Sequence, residues 1–74
     1  MLYFYYGLKI MKLYQIPQNS KIYLKDGSYC IFEKIDGLYS FCTTEKFNEV
    51  VYLSVNTPLE PYLDGYKIKE ETNE

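Results

Sequence analysis

Residues able to do chemistry are few and thinly spread in this chain. It has two cysteines, Cys30 and Cys42, and no histidine. Histidine is the commonest general base and zinc ligand, and two cysteines without it do not make a zinc site. Asp26, Asp36 and Asp64 each directly precede a glycine, a placement that turn chemistry explains without a metal. Glu33 and Glu45 are carboxylates that nothing in the sequence brings together. No glycine-rich phosphate loop and no nucleophile elbow occur. The expectation is a protein that is not an enzyme and needs no cofactor or metal.

What the chain has in excess is aromatic surface. Aromatic residues make up 19% of its 74 residues, and ten of them are tyrosines. Tyrosine suits pleated, half-buried sheet surfaces and is enriched at interfaces. The net charge of −2 gives no general attraction to nucleic acid or anionic membranes. All eight basic residues are lysines, so bidentate recognition of phosphate or guanine edges is not available. No basic leader region precedes the apolar start, which is also too short to span a bilayer. The expected place is the cytoplasm. A Lys-, Asn-, Ile- and Tyr-rich chain without arginine points to an AT-rich coding sequence, as in phages and low-GC bacteria.

The elements that would position these residues read as strands. Residues 1–10, MLYFYYGLKI, form a dense aromatic segment expected to be a strand or arm, with Tyr3, Phe4, Tyr5 and Tyr6 as self-association residues. Met11 opens a second possible start. From Ser20 the chain reads as a β meander: Lys21–Lys25, Asp26-Gly27, Tyr29–Ile35, Asp36-Gly37, Leu38–Thr44. Asp-Gly between alternating runs is a strong hairpin signal. Val50–Val55 supplies a further strand. Thr57-Pro58-Leu59-Glu60 carries a capping residue, a proline at the first helical position and a Glu, which predicts one short 3₁₀ turn. Asp64-Gly65 then leads into a last strand at Tyr66–Lys69, and residues 70–74 form an acidic, disordered tail.

This order of elements over residues 11–69 resembles the SH3-like barrel. The resemblance implies an all-β fold, a small five- to six-stranded antiparallel barrel with one short 3₁₀ turn before the last strand. It is architectural only, and no ligand motif of the proline-peptide-binding SH3 domains accompanies it. An OB-like barrel is the main alternative.

If both early Asp-Gly pairs are two-residue loops, register follows by arithmetic. Ile22 then faces Ile31 and Phe32 faces Phe41. One face carries Ile22, Leu24, Tyr29, Ile31, Ile35, Leu38 and Cys42, and its aliphatic character makes it the expected core. The other carries Lys21, Tyr23, Lys25, Cys30, Phe32, Lys34, Tyr39, Phe41 and Thr43. On this register Cys30 and Cys42 lie on opposite faces and cannot be bridged. The second face interleaves four aromatics with three lysines, which an ordinary solvent face does not do. It is either a second core layer, covered by the N-terminal run or by the segment around Leu59–Tyr62, or a partner-binding surface. Its binding residues would be Tyr23, Phe32, Tyr39, Phe41, Lys21, Lys25 and Lys34. The reading is a small non-catalytic protein-binding module, plausibly a phage or mobile-element accessory protein that binds a host protein or forms a homo-oligomer. The alternative is a single-stranded nucleic-acid-binding domain that uses aromatic stacking plus lysines.

Overall fold

The computed structural model describes residues 10–69. The arm residues Tyr3, Phe4, Tyr5 and Tyr6 and the tail at 70–74 lie outside the described residues. The described chain is all-β apart from one 3₁₀ turn. In chain order it runs β1 (Met11–Lys12), the 3₁₀ turn Leu13–Gln15, β2 (Lys21–Tyr23), β3 (Tyr29–Asp36), β4 (Tyr39–Thr44), β5 (Val50–Ser54), β6 (Pro58–Tyr62) and β7 (Gly65–Ile68). The strands form one seven-stranded sheet in the order β1-β6-β7-β2-β3-β4-β5. All pairings are antiparallel except β2 with β7, so the sheet is mixed. Its end strands β1 and β5 are not paired with each other, and the sheet is not closed into a barrel. At that corner the amides of Leu13 and Tyr14 donate to the carbonyls of Thr57 and Val55.

The expected 3₁₀ turn at Thr57–Glu60 is instead strand β6, and the observed 3₁₀ turn lies at Leu13–Gln15. The two prolines fit the strand without loss. Pro58 is its first residue, where only its carbonyl is used, accepting from Lys69 N–H. The bonded pairs of the β6–β7 ladder alternate from Pro58–Lys69, so the missing N–H of Pro61 points away from β7.

Both early hairpins depart from the expected register. Leu24 N–H donates to Ser28 C=O and Gly27 N–H to Leu24 C=O, which makes Lys25-Asp26-Gly27 a three-residue loop with Gly27 at φ +95°. Ile22 consequently pairs with Cys30 rather than Ile31. In the next hairpin the loop is Gly37-Leu38, since Asp36 pairs with Tyr39, and Gly37 takes φ +71° at its first position. A bulge between Phe32 and Lys34 adds one residue to β3. The slip at Gly27 and the bulge at Glu33 together invert the first half of β3 relative to its neighbours, because side chains alternate with period two.

The core therefore differs from the expected aliphatic face. Leu13, Ile16, Ile22, Cys30, Phe32, Cys42 and Leu59 are buried, with Met11, Leu24, Leu53, Tyr66 and Ile68 packed around them. Ile22 and Cys42 are core as expected. Cys30 and Phe32 turn inward in place of Tyr29 and Ile31, which are only half-buried. Ser40 is the one buried polar side chain among the described residues, and it donates to Leu53 C=O at 3.0 Å. Both cysteines are free, fully buried and on the same face of adjacent strands, which corrects their placement on opposite faces.

Candidate functional site

Of the seven expected binding residues, Phe32 is 3% exposed and belongs to the core. The other six fall into two groups on the outward side of the sheet. Lys34, Tyr39 and Phe41 gather on β3 and β4. Lys21 and Tyr23 sit on β2, and Lys25 follows in the loop.

The first group is completed by β5. Lys34 pairs with Phe41 and Phe41 with Tyr52, so the three share one row across three strands. Asp36, Tyr39 and Ser54 form the next row. The Phe41 and Tyr52 rings meet edge to face with centroids 4.9 Å apart, and Lys34 Nζ lies 5.1 Å from the Phe41 centroid. Such an aromatic pair adds about 0.5–1.5 kcal/mol beyond its burial. Yet Tyr39 remains 54% exposed and Tyr52 59% exposed. A shallow depression between them is lined by Asp36, Tyr39, Phe41 and Tyr52.

This aromatic face runs straight into a free strand edge. Among the described residues β5 pairs only with β4, and that ladder has no register shift. Its bonded pairs alternate from Thr44–Glu49 at one end to Leu38–Val55 at the other. The backbones of Val50 and Tyr52 therefore point away from β4, ready to pair with another strand. Soluble proteins usually blunt such edges with charge, proline or a bulge. The β5 sequence, VVYLS, has none of these.

The second group is a tyrosine cluster. Tyr23 and Tyr29 have centroids 5.6 Å apart, and Tyr23 and Tyr62 meet edge to face at 5.0 Å. Lys21 Nζ lies 4.3 Å from the Tyr29 centroid and donates to the Asp64 carboxylate at 3.0 Å. Tyr23 O–H donates to the other oxygen of Asp64 at 3.0 Å. These two donors, Lys21 first, hold the Asp64 carboxyl below its usual value, and Asp64 in turn raises Lys21. Partial burial and the hydrogen bond to Asp64 raise the Tyr23 phenol. The Tyr29 phenol donates to Glu45, and that bond followed by desolvation raises it as well. Asp26 is lowered by the hydroxyl and amide of Ser28, an Asx turn that stabilises the loop.

Beside this cluster the parallel β2–β7 pairing sets Tyr23 opposite Lys67. A groove of about 500 Å³ opens there, lined among others by Lys25, Lys67, Lys69, Tyr23, Tyr62 and Glu60. Lys67 Nζ stands 4.8 Å from the Tyr62 centroid. No three His, Cys, Asp or Glu side chains converge among the described residues.

Sequence reasoning missed Tyr29, Tyr52, Tyr62, Lys67 and Lys69. Tyr52 carried a usable signal, since it alternates with Val50 and Ser54 on an uncharged strand. Lys67 and Tyr62 carried none, because a parallel β2–β7 contact has no hairpin turn to announce it. Comparison with models of known protein families, with curated proteins and with solved structures finds no match to this chain.

Proposed function

We propose that this chain is a small non-catalytic protein-binding module that takes an extended segment of its partner along the edge of β5. The observation that carries this reading is the continuity of an uncharged strand edge, unpaired among the described residues, with the aromatic face of exposed Tyr39 and Tyr52 and half-buried Phe41. In strand addition the main chain supplies hydrogen bonds and alternate side chains fill surface pockets. Tyr52 and Tyr39 supply aromatic contact area at low entropic cost, while Lys34 and Asp36 at the margin set charge preference. On this reading the architecture is an opened relative of the SH3-like barrel, with the β2–β5 meander kept and the closing edge left for a ligand strand. The composition suits a cytoplasmic phage or mobile-element accessory protein acting on a host protein, and a second copy is the other partner this edge would accept.

The test is selection of peptides from a random library on the folded chain, followed by amide shift mapping of a selected peptide. The expected result is perturbation centred on Val50–Ser54 and Tyr39–Phe41, with binding lost in the Tyr39→Ser/Tyr52→Ser double variant. Perturbation centred elsewhere would sink the proposal.

A second reading rests on the groove beside β7. Three lysines against one glutamate, next to Tyr23 and Tyr62, match the pairing of backbone-tracking charge with aromatic surface that single-stranded nucleic acid uses. Lys21 does not join them, because Asp64 already holds it. A fluorescence titration with oligo-dT at about 50 mM salt decides: salt-dependent binding that Lys67→Glu removes supports this reading, and no binding ends it.

A further inference from the structure

We propose that Cys30 and Cys42 are a site of oxidative modification, at which the two thiols close to an intrachain disulfide joining β3 to β4. Cys30 pairs with Thr44 and Cys42 with Phe32, so the cysteines are diagonal neighbours on one face of adjacent strands. Both are fully buried, in the same core cluster. Diagonal positions lie about 7–8 Å apart, just beyond the usual disulfide span of roughly 4.4–6.8 Å between Cα atoms. The bridge therefore asks for a shift of about 1 Å between the two strands.

The surroundings favour loss of one proton from the pair. The Cys42 thiol and burial push Cys30 up, while Cys42 is held down to about 7, by Cys30 first and by the Ser40 hydroxyl at 3.6 Å. Removing the first proton leaves a thiolate that the neighbouring thiol stabilises, which is the behaviour of a coupled pair. The first proton is lost by the pair as a unit, and the step is written with Cys42 attacking and Cys30 resolving.

The oxidant is hydrogen peroxide. The Cys42 thiolate attacks the O–O bond; an S–O bond forms, the O–O bond breaks, and the leaving oxygen takes up the thiol proton as water. Cys30 sulfur then attacks the sulfenic sulfur; the S–S bond forms, the S–O bond breaks, and the hydroxyl leaves with the Cys30 proton as a second water. The two thiols lose two electrons and the peroxide gains them. With both sulfurs buried, the rate is set by opening of the sheet rather than by the chemistry.

The full chain, folded and treated with hydrogen peroxide, is quenched by alkylation in denaturant and analysed by mass spectrometry. The expected product has lost the mass of two hydrogen atoms, resists alkylation at both cysteines, and regains both thiols with dithiothreitol. Peptide mapping joins the segments holding residues 30 and 42, and the oxidised chain unfolds at a higher urea concentration than the reduced one. Single-cysteine oxygen adducts or intermolecular disulfide dimers would overturn the proposal. So would unchanged thiols after an exposure long enough for the core amides of β3 and β4 to exchange. Cys30→Ser must yield a Cys42 sulfenic or further oxidised product and no bridge.

Discussion

Replacing Gly65 by alanine strikes the seam that joins the two parts of the sheet. Among the described residues, the only strand pairing that joins β1, β6 and β7 to β2, β3, β4 and β5 is the parallel β2–β7 ladder, which has two register pairs, Ile22 with Tyr66 and Tyr23 with Lys67. A Cβ on Gly65 would lie 2.3 Å from the Lys21 carbonyl oxygen, 2.9 Å from Lys21 Cβ and 3.1 Å from its carbonyl carbon. Two of these three are main-chain atoms, which cannot swing aside as a side-chain tip can. Overpacking in cores costs about 1–3 kcal/mol, and a main-chain obstruction on a two-pair seam belongs at the upper end or above, about 3 kcal/mol. A chain of this size has a total stability on the order of 4–11 kcal/mol, so the variant loses a large share of it. Urea unfolding followed by circular dichroism measures the loss. Asparagine sharpens the test, because it tolerates positive φ. At Gly27, where φ is +95° and nothing lies within 4 Å of an added Cβ, only the backbone strain counts and Gly27→Asn costs less than Gly27→Ala. At Gly65, whose φ is not positive, Gly65→Asn is as damaging as Gly65→Ala. If Gly65→Ala changes stability by less than about 0.5 kcal/mol, or if the two asparagine variants behave alike, the close-approach explanation is wrong.

Two further perturbations follow from burial and charge. Phe32→Ala destabilises by about 3–5 kcal/mol because Phe32 is 3% exposed in the core; Phe41→Ser, half-buried on the outward face against Tyr52, costs less, about 1–2 kcal/mol. Equal losses in urea titrations of the two would contradict the observed register. Lowering pH tests Asp64, whose carboxyl is held below its usual value by Lys21 and Tyr23. A carboxyl lowered on folding contributes stability above its ordinary value and loses that contribution as pH falls through the lowered one. Wild-type stability should therefore drop more steeply than that of Asp64→Asn between about pH 5 and pH 2, and identical slopes would remove the assignment.

The all-β class and the placing of all three Asp-Gly turns were legible from alternation and turn residues. The use of each glycine was not. Gly27 closes a three-residue loop, Gly37 opens a two-residue loop, and Gly65 follows a loop made by Leu63 and Asp64, with Leu63 itself at φ +38°. The same dipeptide thus serves three local geometries, and the choice among them moves register by one residue. One residue is enough to exchange Cys30 and Phe32 for Tyr29 and Ile31 in the core. The bulge at Glu33 adds a second shift that no residue type near it announces. Lys21, Tyr23, Tyr39 and Phe41 stayed outward because β2 and β4 kept their expected sense, and Lys34 because it lies beyond the bulge, in the half of β3 that is not inverted. Thr-Pro-Leu-Glu satisfies the rules for a helix start, but the pairing of β6 with β1 and β7 overrides them.

A binding role for β5 requires that its edge be open, and amide hydrogen exchange in the isolated monomer tests that directly. The expected result is that the Val50 and Tyr52 amides exchange close to the rate of an unstructured chain, while those of Val51 and Leu53, bonded to β4, are protected. With a selected peptide bound, Val50 and Tyr52 become protected as well. Strong protection of Val50 and Tyr52 in the monomer alone would show that the chain covers this edge itself, and would contradict a binding role for it.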